Sequence, residues 1–277
     1  MDLSLIAQYL DTSKKESVSS SESLPVEDKI CYVTLLTNDS FFPGITVLSK
    51  TLKRHCKRNI PFFVLVGEGV NESTLIRLEP LCEGVLSVPS ISCPYTSCTS
   101  ATTAESDVPS WTNSEMTKLN IWNLTQFEKV VYIDADCMVM GDLDSLFDRD
   151  CSFAACPDVF PPDKFNAGVM VLRPNADVFE DMKLKLASLP SHDGGDTGFL
   201  NSYFPDWYAG PDSSTRLPFG YNAQRILHWF TYKKRPGYWE SIKPLMVIHY
   251  SSSPKPWNCK LGAGDLEFEW QKEFMGI

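Results

Sequence analysis

Apolar and polar positions along this chain fall into alternating short and long periods. Ile30-Cys31-Tyr32-Val33-Thr34-Leu35-Leu36 is a compact apolar run that predicts a first strand. A helical stretch follows from Phe41 to about His55. Pro61 to Val66 then predicts a second strand, Val70 to Leu81 a second helix and Gly84 to Val88 a third strand. This β-α-β-α-β alternation argues for a parallel sheet wound with helices. Lys53, Arg54, His55, Lys57 and Arg58 cluster at the end of the first helix, where cations favour its dipole, so a solvated helix end is expected there.

Pro89 to Asn113 is rich in Ser and Thr and has little periodicity. Loops this long inside a domain are usually lids or disordered segments, and a mobile flap near a ligand is expected. Ser114 to Phe127 reads as a helix, with Ser114 at the cap and Met116, Leu119 and Trp122 on one face. Lys129-Val130-Val131-Tyr132-Ile133 reads as a buried central strand. Ser152 to Ala155 and Gly168 to Leu172 are further strands, Asp177 to Leu189 is a helix, and Leu245 to Ile248 is a late strand ending in His249.

Composition narrows the class. With 277 residues, 43% apolar and 12% aromatic, the chain can bury a substantial core. Residues 1–29 stand apart: Ser13 to Ser23 is Ser/Lys/Glu-rich and has little to bury, so a flexible extension is expected, followed by one domain over residues 30–277. No apolar run approaches the ~20 residues of a membrane span, and no basic-then-apolar leader is evident. The expectation is a cytoplasmic protein whose nine cysteines are reduced. A formal charge of −10 argues against nucleic acid or an anionic membrane as partner.

The candidate chemistry begins where the central strand stops. Asp134 and Asp136 are separated by the small Ala135, and on a strand positions i and i+2 face the same way. Ligands of open α/β sheets gather outside such strand ends, and adjacent carboxylates call for a cation between them. That reading is a metal-diphosphate site. The alternative is a pair that caps the next turn, which is the reading preferred for Asp142 and Asp144, ahead of Leu146 and Phe147. Two other ends carry polar groups: the glycine-bearing turn His192-Asp193-Gly194-Gly195-Asp196, and His249 with Lys255. A lone histidine after a strand is more often a hydrogen-bonded core or surface residue than a ligand. Together, two carboxylates and an imidazole suit Mn2+, which accepts nitrogen more readily than Mg2+.

From Ile30 to about Trp257 the sequence resembles the glycogenin-like retaining glycosyltransferases of family 8. The resemblance rests on Tyr32-Val33-Thr34-Leu35-Leu36-Thr37-Asn38-Asp39, Thr117-Lys118-Leu119, Tyr132-Ile133-Asp134-Ala135-Asp136 and Phe165-Asn166-Ala167-Gly168-Val169. It continues through Asp193-Gly194-Gly195-Asp196, Leu217-Pro218-Phe219-Gly220-Tyr221-Asn222 and His249 with Lys255-Pro256-Trp257. It implies a GT-A fold, a single Rossmann-like mixed or parallel sheet flanked by helices, together with Mn2+ dependence and a UDP-sugar donor. By the same resemblance Leu35, Thr37, Asn38 and Phe41 hold uridine. Asp134 holds ribose and metal beside Ala135, and Asp136 and His249 complete the metal site. Lys118, Asn166, Asp193 and Asp196 face the donor sugar, and Lys255 and Ser252 the diphosphate. Asp193, Asp196 and Lys255 are the catalytic candidates, with Asp193 and Asp196 either steadying an oxocarbenium or orienting sugar hydroxyls.

Departures refine the expectation. Trp229 stands where glycogenins carry the tyrosine that receives the first glucose, and an indole offers no hydroxyl nucleophile. Pro109 replaces an arginine, Thr197 a glutamine, and Ser252 a glycine. The type is similar to cytoplasmic protist α-galactosyltransferases that extend a protein-linked glycan, which favours UDP-galactose over UDP-glucose, a glycan or glycoprotein acceptor and a homodimer. The alternatives are a self-glucosylating primer using Tyr232 or Tyr238, and a galactinol synthase-like transfer to a small polyol.

Overall fold

The computed structural model describes residues 29–95 and 110–277. The expected flexible extension over residues 1–29 and the central part of the expected flap fall, but for Lys29, outside the described residues. A six-stranded sheet forms the centre, in the order β3-β2-β1-β4-β7-β6. Its strands are β1 (Ile30–Asn38), β2 (Phe62–Gly69), β3 (Gly84–Ser87), β4 (Lys129–Ile133), β6 (Phe153–Pro157) and β7 (Phe165–Leu172). Strands β1 to β4 run parallel, as the alternation predicts. β7 is antiparallel to both β4 and β6, so the sheet is mixed. Val130, Val131, Ile133, Val169 and Val171 are fully buried, as expected of β-branched residues on central strands covered on both faces.

A second, three-stranded sheet was legible beforehand only in its late strand. In it β5 (Cys137–Val139) pairs with β9 (Val247–His249), which pairs with β8 (Ala223–Gln224). Seven α-helices surround the sheets among the described residues: α1 (Phe42–His55), α2 (Glu72–Leu78), α3 (Ala176–Lys185), α4 (Asp196–Tyr203), α5 (Arg225–Thr231), α6 (Gly237–Glu240) and α7 (Asp265–Met275). α2 stops short of the predicted Leu81, because Pro80 lies in a 3-10 turn over Glu79–Leu81.

The predicted helix over Ser114 to Phe127 is instead a 3-10 helix over Ser110–Asn123. Met116, Leu119 and Trp122 recur every three residues, the 3-10 period, and all three are buried. Lys118 and Asn120 are buried with them, so Lys118 is not the exposed lysine its position allows. The flap's described start is tied down: Ile91 N–H donates to Thr117 Oγ1 and Tyr95 OH to the carbonyl of Leu189.

Candidate active site

Strand register explains how distant residues meet. Leu35 and Thr37 sit at the carboxyl end of β1, and Asp134 follows β4 immediately. Because β7 is antiparallel to β4, its beginning lies beside that same end: Ile133 pairs with Val169, and Asp134 N–H donates to Gly168 O at 2.8 Å. Asn166 is thereby placed in the cleft. β5 is antiparallel to β9, with Cys137 opposite His249 and Tyr250 N–H donating to Asp136 O at 3.0 Å. That pairing delivers the imidazole to the carboxylates. Gly168 makes it possible, since a Cβ there would lie 2.4 Å from His249 Cε1.

His249 Nε2 lies 3.3 Å from Asp136 Oδ1 and 3.7 Å from Asp134 Oδ2. Its Nδ1 contacts Asn222 Oδ1 at 2.8 Å, and Asn222 Nδ2 donates to Asn166 Oδ1 at 2.9 Å. That chain of bonds orients the Asn222 amide, so Nδ1 carries the proton and the Nε2 lone pair faces two carboxylate oxygens. Three acceptors aimed at one point are unfavourable unless a cation lies between them. Ligands about 2.1 Å from an octahedral ion sit about 3 Å apart. The donor set therefore fits a divalent metal, with Asn222 as the partner that fixes the histidine. Cys137 also lies close to Asp136 and His249, within the buried core around β5.

Two lysines brace the carboxylates. Lys118, 7% exposed, reaches Asp134 Oδ1 at 3.1 Å, Asp196 Oδ2 and the carbonyl of Ala167. Burial alone would lower its pKa, but Asp134 and Asp196 outweigh that and hold the ammonium charged. Lys255 Nζ lies 2.5 Å from Asp136 Oδ2 and donates to the carbonyls of Tyr250 and Ser251. Burial would raise the Asp136 pKa, yet the Lys255 ammonium beside it outweighs that and pulls it well below the usual carboxylate range. Asp196 moves the other way: burial, helped by Asp134, outweighs Lys118 and raises it. Tyr132 OH adds a hydrogen bond to Asp134 Oδ1 at 2.5 Å.

The turn ahead of α4 presents the remaining acids. Asp193 Oδ1 accepts from Ser191 Oγ and from the N–H groups of Gly195 and Gly198, around Gly194 at φ 75°. Asn201 in α4 bonds both the N–H and the carbonyl of Phe165, clamping this helix to β7. These groups enclose a cavity of about 380 Å3, within the range of small-molecule sites. Leu35, Thr37 and Phe41 line one side, and Asp134, Ala135, Asp136 and His249 the floor. Lys118, Asn166, Asp193, Asp196 and Lys255 complete the wall.

Two expected contacts are absent from that lining. The Asn38 side chain turns to accept from Ser40 N–H. The Ser252 hydroxyl faces inward and accepts from Arg225 Nη2 at 3.1 Å, while Ser251 and Ser253 line the cavity instead. Tyr132 and Thr197 also line the cavity, and Asn222 backs His249; the sequence singled out Thr197 as the replacement of a glutamine but gave no site role to Tyr132 or to Asn222, which closes the Leu-Pro-Phe-Gly-Tyr-Asn motif.

The sequence pattern of the family described as "Glycosyl transferase family 8" matches residues 32–260. The chain belongs to that family. It is 35% identical to glycogenin-1 of Mus musculus over 227 residues, 82% of this chain and 65% of that protein. It is 34% identical to glycogenin-2 of Homo sapiens over 88% of this chain and 46% of the relative. Inositol phosphorylceramide glucuronosyltransferase 1 of Arabidopsis thaliana is 32% identical over 83% and 43%. The family 8 chain therefore spans under two thirds of these relatives' length. Among solved structures, the glycosyltransferase GlyE of Streptococcus pneumoniae TIGR4 superposes with a TM-score of 0.63 at 22% identity, over 89% of this chain and 61% of that one. The galactosyltransferase LgtC, crystallised with donor and acceptor sugar analogues, gives 0.59 at 16% identity, over 89% and 96%. These likenesses carry the fold, and the GT-A architecture expected of family 8 is the one adopted.

Proposed function

We propose that this chain is a retaining, UDP-sugar-dependent hexosyltransferase that adds an α-linked sugar to a glycan on a cytosolic protein. UDP-galactose is the preferred donor and UDP-glucose the next. The observation that carries the reading is the convergence of His249 Nε2 on Asp134 and Asp136 at one end of a cavity that also holds two lysines. Four carboxylates and two ammonium groups line that cavity. Such a cleft repels a diphosphate unless further positive charge enters with it.

Asp134, Asp136 and His249 would hold Mn2+, which when bound supplies positive charge beside the diphosphate. Lys255, anchored on the Tyr250 and Ser251 carbonyls, needs only to release Asp136 to meet the departing β-phosphate. Charge grows on that phosphate toward the transition state, so an ammonium placed there lowers the barrier rather than merely tightening binding. Lys118 holds Asp196 beside Asp134, fixing a carboxylate where donor-sugar hydroxyls sit. Asp193 commits Oδ1 to the turn, and its other oxygen is left for the sugar. The acceptor hydroxyl attacks from the face that UDP leaves, which preserves the anomeric configuration.

The deciding measurement is release of UDP from a panel of UDP-sugars with and without Mn2+, followed by an acceptor screen with the best donor. We expect metal-dependent turnover that is fastest with UDP-galactose; a metal-independent rate would remove the reading. The glycogenin relatives favour a second one, a primer that glycosylates itself. Tyr238 is exposed and offers a hydroxyl for it, whereas Tyr232 is stacked on His228 at 4.7 Å. Mass growth of the intact chain in hexose steps with UDP-glucose would support the primer. The proposed transferase acts in the cytoplasm as a homodimer. No helix among the described residues is long and apolar enough to cross a membrane.

A further inference from the structure

The segment from Tyr250 to Lys255 joins the histidine end of the cavity to Lys255, whose Nζ holds the Tyr250 and Ser251 carbonyls from the cleft side. Ser252 and Pro254 are held from behind. Register between β8 and β9 places Gln224 opposite His249, so the next residue, Arg225, stands beside the start of that segment. Arg225 is fully buried, and its Nη2 donates to Ser252 O at 2.6 Å, Ser252 Oγ at 3.1 Å and Pro254 O at 3.0 Å. Nη1 binds Glu267 Oε1 of α7 at 2.9 Å, and Trp229 Nε1 donates to the same oxygen at 3.1 Å. The Trp229 ring, one turn along α5, covers the guanidinium at 4.0 Å.

Buried ion pairs are weak sources of stability, because desolvation cancels much of the attraction. This one does something more specific. A planar guanidinium presents its donors in a rigid fork, so three oxygens of one loop are held in fixed relation to α5 and α7. We propose that Arg225 is a positioning residue: backed by Glu267 and Trp229, it sets the Ser251–Lys255 segment at the distance from the metal site that a β-phosphate requires. The inference rests on the donor site proposed above. It also accounts for Ser252, whose hydroxyl serves the arginine and not the cleft. The proposed pyrimidine end, at Leu35, Thr37 and Phe41, lies on β1 and the turn after it, whereas the hydrogen bonds of Arg225 go to Glu267, Ser252 and Pro254.

The test compares UDP with UMP, which differ by the β-phosphate, by calorimetric titration of the full chain with Mn2+. Arg225→Lys keeps the charge but loses the fork. UDP should bind about tenfold more weakly while UMP affinity stays within about twofold. An unchanged ratio of UDP to UMP affinity in a folded Arg225→Lys protein, or an equal loss for both, overturns the proposal. If circular dichroism shows that this variant does not fold, Trp229→Phe decides. It keeps a ring over the guanidinium and removes only the bond to Glu267, so a loss of about threefold confined to UDP is expected, and none refutes it. A wild-type chain that binds UDP no better than UMP would instead sink the donor site itself.

Discussion

Two D-x-D pairs stand eight residues apart in this chain, Asp134/Asp136 and Asp142/Asp144, and their surroundings differ in kind. Asp144 is 6% exposed, and its acceptors are used by groups that cannot leave. Oδ2 takes the N–H groups of Lys57 and Arg58 at 2.8 and 2.7 Å, and Oδ1 takes Tyr32 OH at 2.9 Å. Asp142 Oδ1 accepts from Asp144 N–H at the start of a 3-10 turn over Asp144–Asp148. Asp136 faces an ammonium on a flexible stem and an imidazole lone pair. Backbone donors bound to the fold make a carboxylate structural; mobile cations beside a cavity leave it available. The motif alone does not distinguish them, and capping, the expectation for the second pair, describes Asp142 but not Asp144. Asp144 ties the end of α1 to β1.

The sharpest break between the pairs is catalytic. Asp136→Ala should reduce Mn2+-dependent release of UDP by about a thousandfold or more, equivalent to about 4 kcal/mol of barrier. Its circular dichroism spectrum should match the parent. Asp144→Ala should do the reverse: specific activity of the folded protein stays within about twofold, while stability drops by about 3 kcal/mol as a buried hydroxyl and two N–H groups lose their acceptor. A thermal midpoint lower by about 6–12 °C is the corresponding readout. If both variants lost activity equally, the distinction drawn here would be wrong.

The Asp144 effect carries a pH signature. Burial alone would raise its pKa, but the N–H groups of Arg58 and Lys57 and the Tyr32 hydroxyl outweigh that and lower it. A carboxyl depressed on folding contributes stability above its unfolded value near 3.9, and that contribution fades as pH falls through the folded value. The gap in unfolding free energy between wild type and Asp144→Ala should therefore be full at pH 6 and shrink below pH 4. A gap that is constant from pH 6 to pH 3 would count against it.

Much of this was legible before any coordinates. Strands β1, β2 and β4 announce themselves by apolar runs bounded by turns, and Asp134 with Asp136 by its place after the last of them. The small sheet was legible only in β9, which the late strand predicted over Leu245 to Ile248 overlaps; β8 has two residues and β5 three, too short for any period to register. Yet that sheet brings His249 to Asp134 and Asp136, and Arg225 to the loop beyond them. Strand direction was also hidden: β7 turns antiparallel, and hydrophobic pattern does not encode direction. Helix α7 was readable, with Leu266 and Trp270 at i and i+4 after Asp265 and a terminating Gly276, and it went unused. The ion pair it completes, Arg225 with Glu267, joins positions 42 apart and leaves no local trace.

A subtler way to separate the pairs leaves every carboxylate in place. Gly168→Ala puts a Cβ where His249 Cε1 and Nδ1 now lie, at 2.4 and 2.5 Å, so the imidazole must withdraw. Metal-dependent activity should fall by about a hundredfold, the upper end of what loss of a ligand's orientation costs. Added Mn2+ at high concentration should recover part of it, which Asp136→Ala would not show. Gly168 is buried within β7, so the thermal midpoint without metal should fall as well, and the partial recovery by Mn2+ is the readout that separates the pairs.

The smallest effect belongs to Asp142. Its Oδ1 accepts from the N–H of Asp144 at the start of a single short turn, and losing such a bond costs about 1 kcal/mol. Asp142→Ala should lower the thermal midpoint by about 2–4 °C and leave Mn2+-dependent turnover alone. Cys56, Asp142 and Asp144 also bring three candidate ligand atoms together, so a titration that adds Mn2+ to this variant is informative. With Asp144 saturated by backbone donors, the Mn2+-induced rise in midpoint should equal that of the wild type. A reduced rise would mean that the second pair, too, binds the ion.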